Sequence, residues 1–190
     1  MHVKVRGGSG VDDMRYLLKN APELLSEMSQ AVGNEALGLV LEGFNRQADP
    51  YGKPWEPKKV DDGRLVLHGY TTNLKRGWKL QQTKNNMVSL SPSVSYAAVH
   101  QEGFSGMVTR EGTSYQLKIP QRMMIPSRAA GLPNEWMSQL KEAVEDAVKS
   151  YAASAGGGGA GMSILAGKMA GLKRRLNIQA IIRRAFRSDD

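Results

Sequence analysis

Acid–base or metal chemistry in this 190-residue chain would have to come from three histidines, His2, His68 and His100, and from a few paired carboxylates. No two of the histidines stand at a ligand spacing such as HxH or HExxH, so the sequence predicts no metal site. His100 and Glu102 form the best acid–base pair, because residues two apart on a strand share a face. Neither a nucleophile nor a second carboxylate accompanies them, and a structural role is the expectation. Asp61-Asp62 and Asp189-Asp190 are adjacent, and adjacent side chains point apart on a strand or a helix. The glycine-rich run at 155–161, AGGGGAG, lacks the GxxxxGK[ST] pattern of a phosphate-binding loop. It also follows a helical pattern rather than a strand, which removes a dinucleotide reading. No enzyme activity and no cofactor are expected. Cysteine is absent, which excludes disulfides and thiolate ligands and fits a reducing compartment.

The sharper chemical signal is cationic. The chain carries a net charge of +8. Beyond residue 154, Lys168, Lys173, Arg174, Arg175, Arg183, Arg184 and Arg187 face only Asp189 and Asp190, giving this tail +5 and the preceding 154 residues +3. Arg183 and Arg187 are four apart and share a helix face, where they could meet phosphates without reading sequence. Ile164, Leu165, Met169, Leu172, Leu176, Ile181 and Ile182 interleave with the cations. That pattern favours an amphipathic helix docking on protein over one lying on DNA. A membrane-surface helix is a third reading, supported only by Phe186 as an aromatic anchor. No apolar run reaches the roughly 18 residues a membrane span needs, and the N-terminal MHVKVRGGSG lacks the apolar stretch of a secretory signal.

The elements that would position these residues follow from periodicity. Residues 1–12 read as a polar arm, with Asp12 and Asp13 able to cap a short helix. Pro22 opens a helix of about 24 residues, on which Leu25, Met28, Val32, Ala36, Val40 and Phe44 recur at three- and four-residue spacing. Pro50, Gly52, Pro54 and Pro57 end it in a rigid turn that folds Trp55 back towards the helix. Leu65 and Leu67 predict a short strand. Trp78/Leu80 and Val88/Leu90 alternate with polar residues across Thr83-Lys84-Asn85-Asn86 and predict a hairpin. The stretch 95–101 is ambiguous between strand and helix. Residues 104–119 predict a second hairpin turning at Glu111-Gly112-Thr113. Pro120 and Pro126 disfavour helix between them. A second helix runs from Pro133-Asn134 to about Ser154, with Trp136, Leu140, Val144, Ala147 and Tyr151 as its stripe. The fold class is α+β: an antiparallel sheet of hairpins packed by two long helices. The chain would divide into an arm (1–12), an α+β domain (13–154), a glycine-rich linker (155–162) and a basic helical tail (163–190).

This ordered series resembles the phage virion morphogenesis family, which includes the tail completion proteins of Mu-like phages. The residues that carry the resemblance are Phe44 at a helix end, the turn from Asp49 to Trp55 with Pro54, and Leu67-His68-Gly69 with Leu74. They continue with the box Tyr96-Ala97-Ala98-Val99-His100-Gln101-Glu102-Gly103 and with Ile119-Pro120-Gln121-Arg122. Two departures stand out: His68-Gly69-Tyr70-Thr71-Thr72-Asn73-Leu74 is longer than the usual tight form, and Met123-Met124 replaces proline-phenylalanine. The resemblance implies a structural virion protein placed at the head-proximal end of the tail; the absent secretory signal and cysteine lead to an expectation of assembly in the host cytoplasm. It implies a homo-oligomer, a ring of six, that caps the tail tube and joins it to the neck or head–tail connector around a DNA channel. The 104–119 hairpin would meet an adjacent ring. The basic tail lies outside the family pattern; a seven-residue linker can span about 23 Å, enough to carry it onto a neighbour as a clasp. The rival reading is a small DNA-binding protein acting through Lys173, Arg174, Arg175, Arg183, Arg184 and Arg187.

Overall fold

The computed structural model describes residues 22–69, 72–82 and 88–155. The expected arm, the 83–86 turn, the glycine-rich linker beyond Ala155, which itself ends a helix rather than opening the linker, and the basic tail lie outside these residues. Helix α1 spans Pro22–Arg46, as the stripe requires. Pro22 sits where its missing N–H would have no partner in any case. Leu25, Met28, Val32, Ala36, Val40 and Phe44 are all buried, and Leu24 and Leu39 widen the stripe. Helix α4 spans Asn134–Ala155. Its buried residues are Trp136, Leu140, Val144 and Val148. Val148 thus takes the place expected of Ala147 and Tyr151, which are only half-buried. Three- and four-residue steps from Val144 reach both 147 and 148, and the larger apolar side chain turns inward.

Between the long helices the chain forms a single-turn helix α2 (Asn73–Arg76), strands β1 (Trp78–Gln82) and β2 (Val88–Pro92), helix α3 (Ala97–Glu102), and strands β3 (Phe104–Arg110) and β4 (Thr113–Ile119). The architecture is α+β with antiparallel hairpins. The strands make two separate two-stranded sheets, β1-β2 and β3-β4, rather than one sheet. The ambiguous stretch is helical from Ala97, and Tyr96 donates no side-chain cap to it.

The strand expected at Leu65 and Leu67 is absent. Leu67 adopts φ +60°, and Leu65 is exposed. The amide of Gln47 explains the difference: its Oε1 accepts from the Val66 N–H at 2.5 Å and its Nε2 donates to the Val66 carbonyl at 3.3 Å. A side chain at the end of α1 thereby takes the place of a neighbouring strand, leaving the flanking leucines free to turn.

The described residues belong to two compact units. One takes 22–35, 81–82, 88–89 and 138–155; the other takes 36–69, 72–80 and 90–137. The core of the first is Leu24, Leu25, Met28, Val32, Val88, Leu140, Val144 and Val148. That of the second includes Leu39, Val40, Phe44, Trp55, Leu74, Trp78, Ala97, Met124 and Trp136.

Leu140 and Phe44 are fully buried. Leu140→Ala should therefore cost about 2–5 kcal/mol and Phe44→Ala about 3–5 kcal/mol in denaturant unfolding. Met107→Ala, at a residue 64 % exposed, should stay within about 0.5 kcal/mol.

Candidate assembly surface

The turn after α1 is built by Asp49. Its Oδ1 accepts from the N–H groups of Tyr51 and Lys53, both at 2.9 Å, while its own N–H donates to the Lys53 carbonyl at 2.8 Å. Gly52, at φ +83°, supplies the left-handed residue that closes the loop. Pro54 is exposed and rigidifies the exit from this loop. Trp55 then folds inward and meets Phe44 edge-on, with ring centroids 5.4 Å apart at 80°. Its indole N–H donates to the Met123 carbonyl at 2.9 Å. The turn thus anchors the proline-bracketed segment as well as the helix end. Tyr51 adds a second anchor: its hydroxyl donates to the Gly131 carbonyl at 2.8 Å and accepts from Ser127 N–H at 3.2 Å.

The box 96–103 does the same work from the other side. Gln101 Oε1 accepts from the N–H groups of Met124 (2.8 Å) and Ile125 (3.2 Å), and its Nε2 donates to the Ile125 carbonyl at 2.9 Å. Arg122 N–H donates to the His100 carbonyl at 2.7 Å. The Arg122 side chain is buried, and its guanidinium donates to the carbonyls of Glu56 (3.0 Å) and Pro57 (3.3 Å). Burial pulls this guanidinium below its ordinary pKa, opposed by the Glu56 charge. Gly103 leaves α3 at φ +76° and ψ 170°, a region only glycine occupies readily, and a Cβ there would stand 3.1 Å from the Gln121 nitrogen.

His100 is half-buried on α3 rather than on a strand, while Glu102 is exposed. The His100 ring lies edge-on to Tyr96 at 6.1 Å, and its Nδ1 is buried without a hydrogen-bond partner. Burial, then the nearby Arg122 charge, lowers its pKa. His68 lies 6.3 Å from Phe44 with Nε2 likewise unpartnered, and burial and Lys75 lower its pKa. Of the remaining signature residues, Leu74 is buried, Pro120 half-buried, and Gly69 and Tyr96 exposed. The basic residues of the tail, Lys173 to Arg187, lie outside the described residues. Sequence reasoning missed Gln47, Gln101 and Arg122 as fasteners. Nothing in their spacing marks them, because their partners are backbone groups of distant loops.

This framework holds the β3–β4 hairpin. The strands pair from Phe104↔Ile119 to Arg110↔Thr113, and the connection is Glu111-Gly112, both at positive φ (52° and 78°). Two such residues make the primed turn whose twist matches a hairpin. Phe104, Gly106, Val108, Tyr115, Leu117 and Ile119 share one face by register. The Phe104 ring lies over Gly106, where a Cβ would meet its Cζ at 3.1 Å. The opposite face carries Ser105, Met107, Thr109, Ser114, Gln116 and Lys118, all exposed. Thr109 and Ser114 hydroxyls bond across it at 2.8 Å. Among the described residues β3 and β4 pair only with each other. A hairpin with an apolar face, a wet face and two unpaired edges is suited to binding other chains.

Two outcomes are expected of the framework. Gly103→Ala should destabilise by about 1–3 kcal/mol, read in denaturant unfolding. For the histidines, a lowered folded-state pKa means that the unfolded chain binds more protons just below the ordinary value of 6.5. Stability should therefore be full above that value and fall as the pH drops through it, and His68→Gln with His100→Gln should flatten the loss in a pH series of unfolding midpoints.

Searches of curated proteins and of solved structures return no match. The model of the phage virion morphogenesis family matches residues 9–151. That span takes in α1, both hairpins, the turn and box residues described above, and α4 as far as Tyr151. The chain therefore belongs to the phage virion morphogenesis family.

Proposed function

We propose that this protein is a tail completion protein: a ring at the head-proximal end of a phage tail that caps the tail tube and joins it to the neck. Family membership over 9–151 gives the phage morphogenesis role. The single structural observation that supports the finer reading is the β3–β4 hairpin, whose exposed polar face and unpaired edges are held on a framework of buried rings and side-chain clamps. In this reading the work is geometric. One face of the ring matches the last ring of the tube and halts growth, while the other receives the connector. The expected copy number is six, and the channel between the copies passes DNA. A ring of this kind closes through heterologous contacts related by rotation. The C-terminal basic segment would act as a clasp on a neighbouring copy.

The +5 charge of the tail favours a second reading, sequence-independent DNA binding. The two separate cleanly. Lysates lacking this protein, imaged as particles, should show overlong tails if it terminates the tube. Normal-length tails beside unattached heads would indicate a joining role alone. If DNA binding is the activity, purified protein should bind duplex at physiological salt with log affinity falling by about 0.9 per phosphate contacted for each tenfold rise in salt. On the assembly reading, removing 155–190 should weaken oligomers or docking and leave the body folded.

A further inference from the structure

The two-residue turn fixes which backbone groups of the hairpin look outward. Arg110 and Thr113 close a primed turn and so form a hydrogen-bonded pair. Alternation then makes Val108↔Tyr115, Gly106↔Leu117 and Phe104↔Ile119 hydrogen-bonded pairs as well. The N–H and C=O groups of Ser105, Met107 and Thr109 point away from β4, and those of Ser114, Gln116 and Lys118 point away from β3. The close Thr109–Ser114 hydroxyl contact, 2.8 Å, is what a non-hydrogen-bonded pair should show. Each strand thus offers a row of three outward residues, and no described strand takes them up.

We propose that β3 of one copy pairs edge to edge with β4 of the next, so that the hairpins of successive copies continue one antiparallel ladder. This rests on the ring reading above and supplies its joint. The occupant follows from the hairpin itself. When two copies stand side by side with their hairpins pointing the same way, the β3 edge of one runs antiparallel to the β4 edge of the other. Outward residues meet outward residues, so the apolar faces stay on one side of the ladder and the wet faces on the other.

Charge fits the same arrangement. At the base of the hairpin exposed Glu102 stands just before β3 and exposed Lys118 lies on β4, while at the tip Arg110 and Glu111 pair with each other within one hairpin, 3.7 Å apart. Base against base, Glu102 of one copy comes to the side of the next that carries Lys118, so opposite signs meet there. Two-fold pairing of β3 with β3 would use one edge and leave the other open. Head-to-tail pairing uses both, which is what a closed ring requires.

The chain has no cysteine, so disulfide trapping is clean. Two sets of single variants are made: Ser105→Cys, Met107→Cys or Thr109→Cys on β3, and Ser114→Cys, Gln116→Cys or Lys118→Cys on β4. A phage lacking its own copy is complemented with one variant or with a β3 and a β4 variant together, and purified particles are oxidised. A single variant has no partner thiol within its own chain, so every disulfide is between copies. The expected result is dimer at least tenfold above the single-variant level for one register of mixed β3 and β4 positions. Dimer from β3 or β4 variants alone overturns head-to-tail pairing. Absence of dimer in every combination, in particles where a lysine cross-linker still joins copies of this chain, overturns the edge contact and leaves the ring reading standing. Absence of the chain from particles, or copies the lysine reagent cannot join, overturns the ring reading and the edge contact with it.

Discussion

Buried backbone must find hydrogen-bond partners, and in this chain that requirement falls on side chains. The unit that carries the hairpin contains long irregular stretches, 56–69 and 120–131, with little sheet to satisfy them. Gln47 and Gln101 each present a side-chain amide to a loop backbone, accepting and donating as a neighbouring strand would. The Arg122 guanidinium and the Trp55 indole add donors to carbonyls of Glu56, Pro57 and Met123. Losing such a fastener costs more than one hydrogen bond. The loop groups would be left without partners, and desolvated groups without partners cost about 1–3 kcal/mol each.

The same fasteners set the geometry of the hairpin. Gly103 turns the chain out of α3 directly into β3, and the Gln121 side chain, just beyond β4, donates to the Gln101 carbonyl at 3.1 Å. Both strands are thus held at their bases by one short helix. The hairpin itself is kept by a turn that suits its twist and by the Phe104 ring laid across Gly106. A rigid base and unpaired edges are complementary properties: the base fixes where the edges point, and the edges decide what can be joined there.

The helices were legible in the sequence because their apolar stripes have the right period and the right punctuation. Phe44 and Trp55 were legible as a staple because one ends a stripe and the other is the only large apolar group in a Pro/Gly turn. The second hairpin was legible from alternation around Glu111-Gly112. The missing strand at Leu65 and Leu67 was not legible, since Gln47 intercepts Val66 from nineteen residues upstream. The separation of the strands into two hairpins was likewise hidden, because alternation marks a strand and says nothing of which strands become neighbours. Arg122 reads as an ordinary surface cation until its donors are seen among loop carbonyls.

The role proposed for this chain is that of a joint between copies of itself and between rings. A reconstruction of the intact particle at side-chain detail tests that most directly. It should show this chain as a closed ring at the head-proximal end of the tail, with the β3 edge of each copy against the β4 edge of the next. Density for this chain as isolated copies, or no density for it anywhere in the particle, would contradict the account.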